Sequence, residues 1–424
     1  MAIRTALRIS VLRDRARHST GPLRPLAVAA AAAVMILAAT AAGAPPAAAS
    51  PSALRTAPAP AGTGPGVAAV PNGALIADSC TSPAACTAVG YRLGRSGVGL
   101  ALAERWNGTN WRVQATPNPA GATDSSLHSV SCASADACTA VGYYANRAGV
   151  YLTLAERWNG VSWRVQPTPN PGRSPSLNAI SCTSARACTA VGLDISAKGP
   201  VPLAERWNGV SWRVQPIPNP AGAETKIFAV SCRAANACTA VGLYATPAGD
   251  LTLAEQWNGV RWRIQPTPSQ AGALISALSG VSCTSADACT ADGYYFNAAF
   301  VSFPLTERWN GVSWRIQRTP DPVGATFTAF AGLSCSAASA CTAVGYYDNG
   351  ANKQLTLAER WNGVYWRIQP TPNQAGAPVG SALSGVSCVS GRSCVAAGSY
   401  STNDGDAAGT LAEGWNGTSW RIQG

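Results

Sequence analysis

A unit of about fifty residues recurs seven times between residue 74 and the C-terminus, and the second copy, Cys132 to Pro169, shows it best. Paired cysteines mark the copies at Cys80/Cys86, Cys132/Cys138, Cys182/Cys188, Cys232/Cys238, Cys283/Cys289, Cys335/Cys341 and Cys388/Cys394. Paired tryptophans mark the same copies, from Trp106/Trp111 and Trp158/Trp163 to Trp415/Trp420, and these pairs use all fourteen cysteines and all fourteen tryptophans of the chain. Such a period belongs to a propeller, a solenoid or an array, and a unit this short buries too little surface to fold alone. One domain over 74–424 is therefore expected, although 424 residues would ordinarily suggest two or three.

The N-terminus reads as a separate segment. Residues 1–24 hold six arginines and one aspartate, an apolar run follows from Leu26 to Gly43, and Ala47-Ala48-Ala49 precedes Ser50. A basic start, a short apolar stretch and a small-x-small site make residues 1–49 a secretory signal peptide. No twin arginine is present, which favours general secretion. A retained single anchor is the alternative, but the run is short and mostly alanine, a weak driver of insertion, and no second candidate span follows it. Residues 50–73, rich in Pro, Ala and Gly, read as a linker. Of the formal charge of +11, the first 24 residues carry +5 (six Arg minus one Asp), which leaves +6 for the rest. Those remaining basic residues are spread evenly through the repeats. No basic stripe forms, and nucleic acid is excluded as a partner. The predominance of arginine and alanine points to a GC-rich, actinobacterial source.

Within the second copy, Leu127–Cys132 and Cys138–Tyr144 are two short, half-apolar runs joined by five small or polar residues. They read as an antiparallel hairpin with its cysteines opposite each other at the ends of the loop. Strict pairing in an exported chain predicts one disulfide per copy, worth about 2 kcal/mol each on the chain-entropy account. Metal binding is the alternative, but zinc sites use tighter cysteine spacings, often with histidine, and beyond the signal segment the chain has only His128. No cofactor is expected.

Tyr151–Trp158, Asn159-Gly160 and Val161–Pro167 read as a second hairpin, because both residues of an Asn-Gly turn tolerate positive φ. A two-residue turn would pair Glu156 with Trp163. A four-residue turn would set Arg157 across from Arg164, like charge against like, so the tight turn is expected. Either register puts Leu154, Glu156, Trp158, Trp163 and Val165 on one face, and Ala155, Arg157, Arg164 and Gln166 on the other. Each copy is thus four antiparallel strands, small residues first and tryptophans last, as radially packed sheets require. The fold class expected is all-β, a seven-bladed β-propeller with one disulfide per blade.

HSVSCASADACTAVGYY followed by LTLAERWNGVSWRVQPTPNP resembles the kelch repeat in all seven copies. In that family a first strand leads to a second ending in a glycine pair, then a Glu-bearing third strand, then a fourth with Trp before prolines. The resemblance implies a four-stranded blade. The glycine pair is here Gly142-Tyr143, and the cysteine pair is not a kelch feature. The chain ends just after its last fourth strand, so no strand is shared between first and last blades, and ring closure is expected to rest on side-chain packing.

Function is less constrained. The glutamate of Glu156 and the arginine of Arg164 recur in every copy, and stacked blades are expected to bring one blade's Glu to the next blade's Arg as a structural ion pair. The sharper reading is a sugar site of Glu156, Arg164, Trp158 and Trp163, since fungal fucose-type propeller lectins look similar in using these residue types between blades. An enzyme needs asymmetry, and the departures from the repeat are Asp292 for the usual valine, Arg318 for a proline, Gln256 and Gly414 for the Arg157-type arginine, and His128. Asp292 is the strongest of these. A copper radical oxidase of the kelch type is excluded for want of histidines, and no serine-hydrolase, zinc-protease or phosphate-loop motif occurs. The loops after the second and fourth strands vary, whereas the CTSADAC-type and Asn-Gly loops do not, so recognition is expected on the variable face. The reading is a secreted or cell-wall-associated, monomeric, non-catalytic module for an extracellular protein or glycan. A multivalent lectin and a polysaccharide hydrolase or lyase are the alternatives.

Overall fold

The computed structural model describes residues 69–351, 353–402 and 407–424. The expected signal peptide and most of the linker lie outside the described residues. Twenty-eight strands, β1 to β28 in chain order, and one short 3-10 turn at Pro220–Gly222 make up the regular structure of those residues. The strands form seven antiparallel units of four. The second is β5 (Asp124–Ser134), β6 (Ala137–Ala145), β7 (Tyr151–Trp158) and β8 (Trp163–Gln166). Hydrogen bonding groups the units into five sheets. Three units stand alone, the fourth joins the fifth through a single parallel bridge at Asp250/Ile275, and the sixth joins the seventh through Gln354/Gly380.

The disulfide expectation holds in all seven units. The bridges are Cys80–Cys86, Cys132–Cys138, Cys182–Cys188, Cys232–Cys238, Cys283–Cys289, Cys335–Cys341 and Cys388–Cys394, and no cysteine among the described residues is free. In each bridge the two cysteines are direct partners across the first hairpin, as Cys132 and Cys138 are. They face each other across the short loop as expected, and the second cysteine of every pair is also a core residue. Cys86, Cys138, Cys188, Cys238, Cys289, Cys341 and Cys394 are only 1–3% exposed, and each belongs to a hydrophobic core cluster. The cause is the third strand. Cys138 is paired with Trp158 on its other side, and the remaining six pair in the same way with Trp106, Trp207, Trp257, Trp309, Trp361 and Trp415. Each bridge therefore joins the hairpin to the packed interior as well as closing its loop.

The expected two-residue Asn-Gly turn does not form. Trp158 pairs with Trp163, Arg157 with Arg164 and Glu156 with Val165, which is the four-residue register. Two local causes favour it. Asn159 Oδ1 accepts from the amides of Val161 and Ser162 at 3.0 and 2.9 Å, and Gly160 takes a φ of 91°. The like-charge objection also lapses, because the Arg157 guanidinium leaves its own sheet for the next one. The division of side chains between the two faces is as expected.

Each first strand carries a bulge that the sequence did not announce. In β5 the register slips between Leu127 and Ser129, so His128 is unpaired, and the other six units slip at the same place. The slip presses the inner strand onto the second one. A Cβ on Gly142 would lie 2.0 Å from the Ser126 carbonyl, and the matching glycine of every unit meets the same obstacle. The glycine of each CTAVG-type segment is therefore a packing requirement.

Consecutive units pack face to face. Leu154, Trp158 and Trp163 of the second unit lie on Val89, Ala101 and Ala103 of the first, and equivalent clusters join the second to the third, the third to the fourth, the fourth to the fifth and the sixth to the seventh units. The first unit also packs on the seventh. Closure is not side-chain packing alone. Residues 69–72, placed in the linker by sequence, pair with β27 (Gly409–Trp415), where the Asn72 amide donates to Ala408 O at 3.0 Å and Thr410 N to Val70 O at 3.3 Å. Around the axis, the amide of each unit's first cysteine donates to the serine hydroxyl of the preceding unit. Cys132 N bonds Ser79 Oγ at 3.0 Å and Cys182 N bonds Ser131 Oγ at 2.9 Å. The same bond occurs at all seven seams, the last-to-first seam included.

Candidate functional site

The residues singled out from sequence fall at the seams. Trp158 and Trp163 sit 5.9 Å apart, are 8% and 4% exposed, and are covered by the preceding unit. Trp163 Nε1 donates to Gln114 Oε1 of that unit at 2.8 Å. A tryptophan pair sealed this way gives a sugar no face to stack on. Glu156 is fully buried, and both its carboxylate oxygens lack hydrogen-bond partners. Burial alone raises its pKa to about 8. Glu205, Glu255 and Glu307 are likewise raised to about 8, chiefly by burial, and Glu359 and Glu413 are also raised well above the carboxylate range. Glu104, which Thr410 hydrogen-bonds, is raised to about 7.

The expected Glu–Arg ion pair is absent. Arg164 is exposed on the four-residue outer strand, and the one ion pair among the described residues joins Arg105 to Asp136 at 3.7 Å. The arginine that enters the seam is the other one. The Arg157 guanidinium lies 5.2 Å from the centre of the Trp207 ring, and its Nη2 donates to Ala185 O at 2.9 Å. Glu156 and Arg157 are neighbours in sequence, so on a strand they face opposite seams. The structure thus brings Trp158 and Trp163 together with Glu156, leaves Arg164 at the rim, and makes Arg157 the inter-unit bracket.

Asp292 is fully buried on the second strand of the fifth unit. Its carboxyl is raised to about 8 by burial, against opposing hydrogen bonds from the Gly280 and Asp292 backbone. It has taken a valine's place opposite Gly280, whose missing Cβ leaves it room and which Leu333 of the next unit approaches. A carboxyl sealed there does not reach a substrate. His128 is 4% exposed, packs edge-on against Tyr143, and has its pKa lowered to about 4 by burial, against bonds to the Leu177 backbone and the Asn178 side chain. The cysteine positions are structural for the same reason of access. All their sulfurs are committed to disulfides, and the second one of each pair is sealed in a seam. No group of three His, Cys, Asp or Glu among the described residues could hold a metal ion.

Sequence reasoning missed the aromatic side chains at the variable-loop end. Tyr143 donates to Asp124 Oδ2 at 3.3 Å and lies 5.3 Å from Tyr151. In the fifth and sixth units, ring contacts at 5.7, 5.9 and 5.6 Å link Tyr294, Phe296, Phe327 and Tyr346 in a chain. Asp250 raises the pKa of Tyr294, and Asp348 that of Tyr346, in each case after the larger effect of burial. A signal was present, because the position after the CTAVG glycine is Tyr91, Tyr143, Tyr294 and Tyr346 in four copies but Leu193, Leu243 and Ser399 in the others.

No protein-family model matches the sequence, and no curated protein sequence matches it. Solved structures do match. Ulvan lyase, a polysaccharide lyase, is 7% identical with a TM-score of 0.54, over 84% of this chain and 96% of the lyase. A GH74 xyloglucanase from Xanthomonas campestris is 13% identical with a TM-score of 0.53, over 84% of this chain and 55% of the enzyme. YCF48 bound to D1 peptide is 13% identical with a TM-score of 0.47, over 82% of this chain and 95% of YCF48.

The fold is a β-propeller. At these identities the likeness concerns the fold alone. The seams are then inter-blade seams, and the asymmetric features of the propeller lie at its loop ends.

Proposed function

We propose that the chain is a secreted, non-catalytic recognition propeller of seven kelch-like blades, with its signal segment removed, that binds an extracellular glycan or protein through its variable-loop face. One observation carries this reading. The glutamates and tryptophans repeated in every copy are consumed by the seams, while the aromatic and acidic residues that differ between copies gather at the ends joined by the variable loops. Phe296 and Phe327, half-buried and backed by Tyr294 and the buried Tyr346, offer ring surface near the carboxylates of Asp250 and Asp348. Sugars use that combination, with a C–H face on the ring and hydroxyls on the acid, and so do peptide side chains. Seven disulfides suit an oxidising compartment. No helix among the described residues is long and apolar enough to cross a membrane.

A glycan array probed with the oxidised chain over 50–424 tests the reading. Selective binding that is lost in Phe296→Ala but kept in Trp163→Phe places glycan recognition on the variable face. A blank array removes the glycan half, leaving a protein partner to be sought with the same pair of variants. Binding lost in Trp163→Phe and kept in Phe296→Ala overturns the reading in favour of the seams.

A further inference from the structure

Five of the seven seams hold the same bracket. Arg105, Arg157, Arg206, Arg308 and Arg360 lie 5.4, 5.2, 5.2, 5.2 and 4.6 Å from the ring centres of Trp158, Trp207, Trp257, Trp361 and Trp415 on the following blade. In four of them Nη2 also donates to a carbonyl in that blade's cysteine loop, namely Ala185, Ala235, Ala338 or Gly391. Arg105 instead meets the Asp136 carboxylate of its loop. A guanidinium is thus held by an indole face on one side and by loop oxygens on the other, the combination that suits a planar, weakly hydrated cation.

Two seams lack the arginine. Between the last and first blades Gly414 replaces it, but Gln423 stands where the missing side chain would begin, and Trp106 is only 9% exposed. Between the fourth and fifth blades Gln256 replaces it and does not fill the space. Its Oε1 accepts from Gln265 Nε2 at 3.0 Å, on its own blade. The receiving half is nonetheless complete. Trp309 is the one tryptophan of its type that is only partly buried, whereas its six counterparts are 6–9% exposed. Ala286 stands third after Cys283, as Ala185 does after Cys182, and is exposed. Among the described residues its carbonyl has no partner. Asp287 is exposed, makes no ion pair among the described residues, and lies against Gly311 as Asp136 lies against Gly160.

We propose that the seam between the fourth and fifth blades is a binding site for the guanidinium of an arginine presented by a partner polypeptide, stacked on Trp309 and held by Ala286 O and the Asp287 carboxylate. It lies at the cysteine-loop end, opposite the variable loops, and does not depend on what those loops bind. Five copies of the occupied site in the same molecule define the ligand: planar, cationic, and the length of an arginine side chain.

The probe is N-acetyl-arginine amide, with the neutral citrulline amide as its isostere, followed by the indole N–H resonances of the oxidised protein. Trp309→Phe assigns the Trp309 signal. Should that variant fail to fold, Gln256→Arg assigns it instead, as the indole that moves when an internal arginine covers it. The expected result is a saturable shift confined to Trp309, with arginine amide binding about tenfold tighter than citrulline amide. The shift weakens in Asp287→Ala and is abolished in Gln256→Arg. The absence of a saturable shift, an equal response to citrulline amide, or a response that persists in Gln256→Arg overturns the proposal.

Discussion

The Cys80 amide donates to Ser387 Oγ at 2.9 Å, across 307 residues of sequence. It is the seventh member of a set otherwise made between consecutive blades, and it treats the last blade as the neighbour of the first. With Trp111 Nε1 donating to Gln423 Oε1 at 3.2 Å and the backbone bonds of residues 70 and 72, it holds the last unit against the first.

Ser387→Ala should therefore cost as much as Ser131→Ala, about 1 kcal/mol each, the ordinary net worth of one such bond. Urea unfolding of the two variants checks this. A silent Ser387→Ala beside a destabilising Ser131→Ala would mean that the first and last blades are not held together in solution.

The two repeated arginines should behave oppositely. Arg157→Ala removes a cation–π contact and a charge-assisted bond to Ala185 O, and should cost roughly 1–3 kcal/mol. Arg157→Lys should recover only part of that, because an ammonium cannot stack its plane on Trp207. Arg164→Ala, at the exposed rim, should stay within about 0.5 kcal/mol of the parent. Thermal melts of the three variants decide it. Equal losses at Arg157 and Arg164 would return Arg164 to the seam.

Much of this was legible in the sequence, because cysteines and tryptophans in fixed pairs mark strands, loops and faces at once. Alternation along β7 correctly put Glu156 and Arg157 on opposite faces. It could not say which arginine reaches across, since that depends on strand length: β8 is four residues long, so Arg164 stays at the rim. The turn register was missed because opposed arginines looked costly, and the cost disappears once Arg157 is drawn to Trp207. The depth of Cys138 was missed because a hairpin read alone shows nothing of Trp158, which pairs with it from the third strand. The ring of serine bonds had a signal that went unread, the Ser-Cys pair heading every copy's first cysteine. The bulge at His128 had none, because the residue at that point differs in every blade but two, from Ile76 to Phe228.

Asp292→Val should stabilise the protein. The carboxyl is hidden from water and neither oxygen has a well-formed hydrogen bond, and leaving a buried polar group poorly satisfied costs about 1–3 kcal/mol. Valine is the residue of the parent repeat, as at Val141 and Val344, and Gly280 leaves it room. A rise in urea midpoint with unchanged slope is expected, and variable-face binding should be unaffected. Loss of that binding, or of stability, would make Asp292 a functional group after all.

Stability should fall as pH rises from about 4.5 to about 8. Seven glutamates lie buried at the seams, Glu156 without a partner on either oxygen, and burial raises those with a stated value to about 7 or 8. An uncompensated charge at each seam would together exceed the whole stability of a domain, so the folded protein keeps the glutamates raised to about 8, and Glu359 and Glu413 raised well above the carboxylate range, protonated at neutral pH, with Glu104, raised to about 7, at its midpoint. In the unfolded chain they ionise near pH 4.5. Below that value both states hold the protons and the contribution is complete. Above it only the folded state holds them, and the contribution is lost progressively until the folded groups ionise near pH 8. His128, lowered to about 4, works the other way below its usual pKa of 6.5, but it is one group against seven. Melting temperatures between pH 4 and 9 should therefore decline with pH, and Glu156→Gln, which cannot ionise, should flatten the decline while raising stability most at the alkaline end. A melting temperature that climbs through this range, or a Glu156→Gln variant that loses stability equally at every pH, would show that Glu156 carries its charge in the folded seam.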